Sequence, residues 1–391
     1  MPWEEKSIME QRIEFVAQVI QKTQTFSEIC RQMNISRPTG YLWLKRFQET
    51  ESYLGLVERS RRPHHIPHQT SPELEKKVLK LHKAYGWGPR KLSEILSNQG
   101  ITLPAITIYR IFKRHNLITH KNIHSEARIR FEREYPNALW QMDFKGEYTG
   151  DYGVCYPLSI LDDHSRYLIG LYPLKNMYLT LVKSCLQDSF EQYGLPEEML
   201  MDHGTPWWST TNGYGLTQLS IWLIKQGIHL IYSGICHPQT QGKVERFHRT
   251  LKAAIFHAGK PSSFVEWSPL LDKIRREYNE IRPHEALNMK TPATHYTSSP
   301  RPYQPNPPKW VYPANEKMAK LNSAGCLDYQ RHRYFVCEAL ANEWVCLKQL
   351  NDLVLVQYRN TYIREINLKY KRTKPMVIQA YAFKSVKDVL I

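Results

Sequence analysis

The stretch NALWQMDFKGEYT (137–149), followed by VCYPLSILDD (154–163) and SRYLIGLYPL (165–174), decides the fold. Its period is strand-like, and it reads as three successive strands. Downstream, a helix is predicted from Thr180 to about Tyr193, then a short strand EEMLMD (197–202) and a helix LTQLSIWLIKQ (216–226). A strand HLIYS (229–233) and a long helix from Gln241 to Ala258 complete the run. Three antiparallel strands followed by alternating helices and strands describe a mixed α/β domain, with a further helix from about Phe264 to Ile281.

On the C-terminal side, Pro300, Pro302, Pro305, Pro307 and Pro308 mark a stiff linker. Beyond it RYFVC, EWVCLKQ, DLVLVQY and TYIREI alternate in period two, with Asn351-Asp352 and Arg359-Asn360 at turns, as in a small all-β barrel. On the N-terminal side, Ile13, Val16, Ala17 and Ile20 and then Phe26, Ile29, Cys30 and Met33 form two helical stripes. A third helix opens at Ser36 after a tight Asn34-Ile35 turn. It carries Arg37, Thr39, Tyr41, Lys45 and Arg46, the pattern of a helix-turn-helix with a basic reading helix. Ser71-Pro72 opens a second unit of the same kind, ending near His115. Between the two, GLVERSRRPHHIPHQT (55–70) has no helical period, and its Arg59, Arg61 and Arg62 suit a basic strap along phosphates. His64, His65 and His68 lack the CxxC that would complete a zinc site.

The predicted organisation is multidomain: a helix-turn-helix domain over 8–50, a basic linker over 51–70 and a second helix-turn-helix domain over 71–118. The mixed α/β domain over 134–298 follows, then a Pro-rich linker over 299–309 and a small β-barrel over 310–375 for DNA binding and assembly. Charge supports this division. The 391 residues carry a net charge of +16, which points to nucleic acid. Residues 1–135 hold 23 basic and 14 acidic side chains, 136–300 hold 15 and 16, and 301–391 hold 15 and 7. The middle is neutral between two basic flanks. Seven cysteines form no CxxC pair, as expected in a reducing cytosol. No apolar run predicts a membrane span or signal peptide, and no phosphate loop or GxGxxG fingerprint predicts a nucleotide site.

Asp143 ends the first strand of the mixed domain, Asp202 ends the fourth, and Glu245 lies in the first turns of the long helix. Acids at adjacent strand ends and a nearby helix can converge, and three hard oxygen ligands suit Mg2+. A pair of such ions can activate an attacking oxygen and stabilise a leaving one in phosphoryl transfer. Around Glu245 the text is HPQTQGKVERFHRTLK (237–252), in which Glu245, His248, Arg249 and Lys252 share a helix face. The adjacent Asp162 and Asp163 compete for a ligand role, but acids in an Asp-Asp-His-Ser turn commonly satisfy backbone N–H groups. A structural role is expected for them, as for the isolated His229 and His257.

WQMDF, LDDHSRYLIG, LMDHG, HPQTQGKVERFHRTLK and YNEIRPHEALNMKTPATHY, behind a helix-turn-helix leader, together resemble the DDE transposases of bacterial insertion sequences. These belong to the RNase H-like superfamily that includes retroviral integrases. The resemblance implies an integrase catalytic core with Asp143, Asp202 and Glu245 as the catalytic, metal-binding triad. It implies two Mg2+ ions, with Mn2+ able to substitute, and double-stranded transposon-end and target DNA as substrates. It implies that Lys252 touches the DNA end, beside Arg249, whose place on the Glu245 face suits a phosphate contact, and that Gln239, Gln241 and Lys243 approach DNA. It also implies a homodimer or homotetramer on DNA, in the bacterial cytoplasm with the nucleoid. Two features depart from the family pattern. His203 stands where Asn is usual, and the second spacing is lengthened by PWWSTTNGYG (206–215). Trp207 and Trp208 there either stack on bases or cap the sheet's apolar edge. A domesticated DNA-binding regulator without catalysis, or a nuclease that cuts without joining, are the rival readings.

Overall fold

The computed structural model describes residues 7–22, 24–59, 69–118, 132–209, 215–233, 242–376 and 378–379. The chain divides into two units, Met1–Ser71 and Pro72–Ile391. In the first, α1 (Ile8–Gln21), α2 (Phe26–Gln32) and α3 (Arg37–Thr50) begin after Ser7, Thr25 and Ser36. Each hydroxyl accepts a backbone N–H two or three residues into the helix, which stabilises a helix start by about 1 kcal/mol. Phe15, Val16, Ile29, Cys30 and Leu56 fill the core. The helices meet closely at Gly40, where a Cβ would lie 2.9 Å from both Cys30 Sγ and Phe15.

The expected open linker over 51–70 starts later than predicted. Leu56, in the single turn Tyr53–Leu56, is fully buried in this core, and Arg12 donates to its carbonyl. An apolar side chain with a core to enter has no reason to stay in solvent. Arg61 and Arg62 lie outside the described residues.

The second unit opens with α4 (Pro72–Tyr85), α5 (Pro89–Asn98) and α6 (Ala105–Arg114), closed around Val78, Leu92, Leu96, Ile108 and Ile111. A mixed sheet follows, from β1 (Leu139–Phe144), β2 (Tyr148–Gly150), β3 (Gly153–Asp162), β4 (Leu168–Leu174) and β5 (Glu198–Met201). A short pair, β6 (Trp208–Ser209) and β7 (Gly215–Leu216), precedes β8 (His229–Tyr232). β4, β3 and β1 are antiparallel neighbours, whereas β1, β5 and β8 run parallel.

Strand alternation sorts the two faces. From β3, Leu158 and Ile160 join Trp140 and Met142 of β1 under α7 (Leu179–Tyr193) and α8 (Gln218–Lys225). Cys155 and Leu161 point the other way, to Phe247, Leu251 and Ile255 of α9 (Gly242–Ala258) and Leu271 of α10 (Trp267–Arg276). The predicted helix over 264–281 therefore starts at Trp267, and its last turn, Glu277–Ile281, widens to π geometry.

The C-terminal segment is antiparallel β, but the expected closed barrel is not found. β9 (Lys317–Lys320), β12 (Trp344–Leu350), β13 (Leu353–Tyr358), β14 (Thr361–Asn367) and β15 (Arg372–Pro375) form an open sheet in the order β15-β14-β13-β12-β9. β10 (Cys326–Tyr329) and β11 (His332–Phe335) make a separate hairpin. No ladder joins β9 to β15 among the described residues. Closure is unnecessary because Val345, Val354, Val356 and Ile366 share one continuous core with Phe190 and Leu223. Lys225 pairs with Glu343 at 2.7 Å, and Arg359 donates to the Lys225 carbonyl. The final two-residue strand β16 (Ile378–Gln379) lies parallel to β8.

The Pro-rich stretch over 299–309 is likewise no free spacer. Arg301 donates to the carbonyls of Pro196 and Gly227, and Leu195 N–H to the Arg301 carbonyl, fastening it to the end of α7 and the start of β5. No helix among the described residues is long and apolar enough to cross a membrane.

Candidate active site

β1 and β5 are paired with Gln141 opposite Leu200. Continuing that register by two residues sets Asp143 beside Asp202, and the period of two puts both on the α9 side of the sheet. Glu245 stands exposed in the first turn of α9. The other two carboxylates act on Asp143: its carboxyl is pushed up to about 7, by burial first and then by the charge on Asp202, with Glu245 adding to it. The Phe144 N–H, 2.8 Å from Asp143 Oδ1, and the Lys145 charge pull the other way.

Asp202 spends one oxygen on protein donors. Its Oδ1 accepts Gly204 N–H at 2.9 Å and the Trp207 indole N–H at 2.6 Å. The residue after it, His203, packs edge-on against Trp208 and is depressed below the usual histidine range by burial. His248, one turn beyond Glu245, is turned inward rather than sharing its exposed face. Its Nε2 lies 3.2 Å from Ser159 Oγ and its Nδ1 3.7 Å from Asp143 Oδ2. Burial pushes the imidazole down to about 4, so this approach to Asp143 is not an ion pair at neutral pH.

Three hard carboxylates, two of which raise the proton affinity of the third, are a donor set a divalent cation relieves. The chemistry of the set fits Mg2+. Among the described residues, no three Asp, Glu, His or Cys side chains are drawn close enough together to cage an ion on their own.

Asp162 and Asp163 occupy quite different surroundings. Asp162 accepts Asn137 N–H, Ser165 N–H and the Ser165 hydroxyl at 2.6 to 2.8 Å. Asp163 accepts Arg133 N–H through Oδ2, and Gln141 Nε2 and Lys243 Nζ through Oδ1. The expectation that Lys243 approaches DNA is therefore corrected. Its ammonium lies 2.6 Å from Asp163 and its side chain is only 15% exposed, the cation being turned inward as a partner of a fully buried carboxylate. Sequence reasoning also missed Gln141, whose Oε1 accepts Val244 N–H and so ties β1 to the start of α9. Its signal was available: Gln141 lies two residues before Asp143, on the same strand face.

Of the other residues expected on DNA, Arg249 and Lys252 are exposed on α9, and Arg37, Tyr41 and Lys45 are exposed along α3. Thr39 is engaged in the α3 cap through its contact with Ser36, and Arg46 lies over the Trp43 ring. Gln239 and Gln241 lie outside the described residues. The base-stacking reading of Trp207 and Trp208 is corrected: both are buried, Trp207 stacked on Phe144 and Trp208 against Tyr232.

Two models described as integrase core domain match residues 133–238 and 226–292. A helix-turn-helix domain model matches residues 11–64 and a homeodomain-like domain model residues 39–112. The chain is 23% identical to the transposase for transposon Tn552 of Staphylococcus aureus, over 92% of this chain and 81% of that one. It is 24% identical to the Gag-Pol polyprotein of woolly monkey sarcoma virus over 52% of this chain, spanning 12% of the viral polyprotein's length. The integrase catalytic core of HTLV-2, solved in complex with magnesium, aligns with 41% of this chain and 97% of its own, at 16% identity and a TM-score of 0.33. The fold and site thus define an integrase core preceded by helix-turn-helix domains. The chain is similar to transposases and retroviral integrases, with integrase core domain models over residues 133–292.

Proposed function

We propose that the chain is an insertion-sequence transposase that binds terminal inverted repeats, cleaves the 3′ ends of the element and joins them to target DNA. The observation that carries the reading is the placement of Asp143 and Asp202 at adjacent strand ends beside Glu245 in the first turn of α9, with the charges of Asp202 and Glu245 both felt at the Asp143 carboxyl. Bound Mg2+, or Mn2+ in its place, would supply activation of the attacking oxygen and neutralisation of the leaving oxygen.

The chain's own residues do the rest. Phe144 N–H holds Asp143 by Oδ1, and Gly204 and Trp207 hold Asp202 by Oδ1, so that Oδ2, which takes no hydrogen bond from the described residues in either case, would be the oxygen offered to a cation. Arg249 and Lys252, exposed on the helix that carries Glu245, would take the phosphates flanking the scissile bond. The same site would serve twice, with water as the first attacking group and the freed 3′-hydroxyl as the second. Residues 8–50 and 71–118 would read the repeat, 134–298 would react, and 310–375 would add affinity and assembly contacts in a dimer or tetramer on DNA.

The test uses duplexes carrying the DNA sequences that flank the reading frame, incubated with full-length protein and Mg2+. Wild type should release 3′-ends and join them to a second duplex. Asp143→Asn, Asp202→Asn and Glu245→Gln should each abolish both steps while leaving end binding nearly intact. A Glu245→Gln protein joining ends at the wild-type rate would refute the triad, and cleavage without joining by wild type would favour a nuclease.

A further inference from the structure

Trp207 belongs to the insertion that lengthens the spacing between Asp202 and Glu245, and its ring is 1% exposed. A buried indole needs a partner for its N–H, and many partners would serve. Here the partner is Asp202, at 2.6 Å, a short charge-assisted contact. Three further contacts fix the direction of that N–H. The ring stacks on Phe144 with 5.4 Å between centroids and 12° between planes. The Trp207 carbonyl accepts the Ser220 hydroxyl from α8 and the Tyr232 hydroxyl from β8. Phe144 in turn donates its backbone N–H to Asp143. One side chain thereby touches the supports of both aspartates.

We propose that Trp207 is a positioning residue for Asp202. Its indole N–H, with Gly204 N–H, locks the carboxylate by Oδ1 and presents Oδ2, which takes no hydrogen bond among the described residues, to the metal. A carboxylate held by outer contacts keeps the rotamer that ligation requires, and losing such a contact typically weakens metal affinity about 10- to 100-fold. The inference rests on the reading of Asp143, Asp202 and Glu245 as metal ligands.

Trp207→Phe removes the N–H while keeping a ring to stack on Phe144. Mn2+ affinity of the full-length protein, read from the electron-spin signal of free Mn2+, should fall at least about 10-fold. The Mg2+ concentration giving half-maximal end cleavage should rise in step, with the rate at saturating Mg2+ and the melting temperature little changed. A structural filler would lower melting and leave the metal dependence alone.

Asp202→Asn separates this proposal from the reading beneath it. If Asp202→Asn loses Mn2+ affinity while Trp207→Phe keeps the wild-type value, the positioning role is wrong and the triad stands. If Asp202→Asn keeps wild-type affinity, both fall. Should Trp207→Phe fail to fold, the wild-type indole N–H resonances decide. Substoichiometric Mn2+ should broaden one of them selectively in wild type but not in Asp202→Asn, and the absence of such a resonance overturns the proposal.

Discussion

Two pairs of aspartates sit on the same sheet and are treated in opposite ways. Asp162 and Asp163 are fully buried, yet every carboxylate oxygen between them receives an N–H, O–H or ammonium. Asp143 and Asp202 are less buried, and among the described residues each has one oxygen hydrogen-bonded to the protein and the other not, with only neutral His248 3.7 Å from Asp143 Oδ2. In the first pair the donors satisfy every oxygen, although burial still raises the Asp162 carboxyl, and the turn between β3 and β4 is fastened to residues 133, 137 and 141. In the second pair the donors are too few, and burial with like charge drives the Asp143 carboxyl up to about 7. Depth of burial does not mark the acids proposed as metal ligands. What sets them apart among the described residues is their smaller number of protein donors.

The largest expected effect sharpens this contrast in activity. Asp143→Asn should lower end cleavage and joining by at least about 1000-fold, since it removes charge where the displacement needs it. Asp162→Asn should leave both steps within a few-fold of wild type, measured on the same duplexes.

Next comes stability, with the order reversed. Asp162→Ala strands the N–H groups of Asn137 and Ser165, and should cost roughly 2 to 4 kcal/mol in urea unfolding. Lys243→Ala leaves a buried charge on Asp163 and should cost about 3 kcal/mol by the same measurement, without changing the salt dependence of DNA binding. Equal stability of Asp162→Ala and wild type would break the comparison.

A third effect follows from the raised Asp143 carboxyl. The folded protein holds this proton up to about pH 7, whereas the unfolded chain releases it near pH 4. The folded state therefore binds more protons across that window, and metal-free stability from this group falls as pH rises from about 4 to 7. His248 works in the opposite sense: pushed down to about 4, it contributes stability that is lost as pH falls from about 6.5. Asp143→Asn should reduce the first slope, to which the raised Asp162 carboxyl also contributes, and leave the second, as read from denaturation midpoints against pH.

The smallest effect is on DNA contacts. Lys252→Ala should flatten the slope of log affinity against log salt by about one phosphate contact and slow catalysis. An unchanged slope would return Lys252 to a solvated helix face.

Much of this was legible in the sequence, for local reasons. The strands that end in Asp143 and Asp202 show their period, and the Asp-Asp-His-Ser turn shows its chemistry, so the structural role of Asp162 and Asp163 was readable before any contact was known. Ser7, Thr25 and Ser36 announce helix starts by residue type. What could not be read depends on partners far along the chain. Lys243 is turned inward by Asp163, 80 residues earlier, and a helical wheel cannot show that. His248 follows Ser159 into the interior in the same way. Residues 310–375 alternate as barrel strands do, but their apolar face finds Phe190 and Leu223 instead of itself. Trp207 lies in an irregular loop where no period reports burial.

The central claim is that Asp143 is held in a crowd of negative charge that a divalent cation relieves. Thermal melting at pH 8, with and without Mg2+, tests it on wild type and Asp143→Asn side by side. The metal-free variant should melt above metal-free wild type, and Mg2+ should raise wild type while leaving Asp143→Asn nearly unmoved. Identical metal-free melting together with the same Mg2+ shift in both proteins would contradict it.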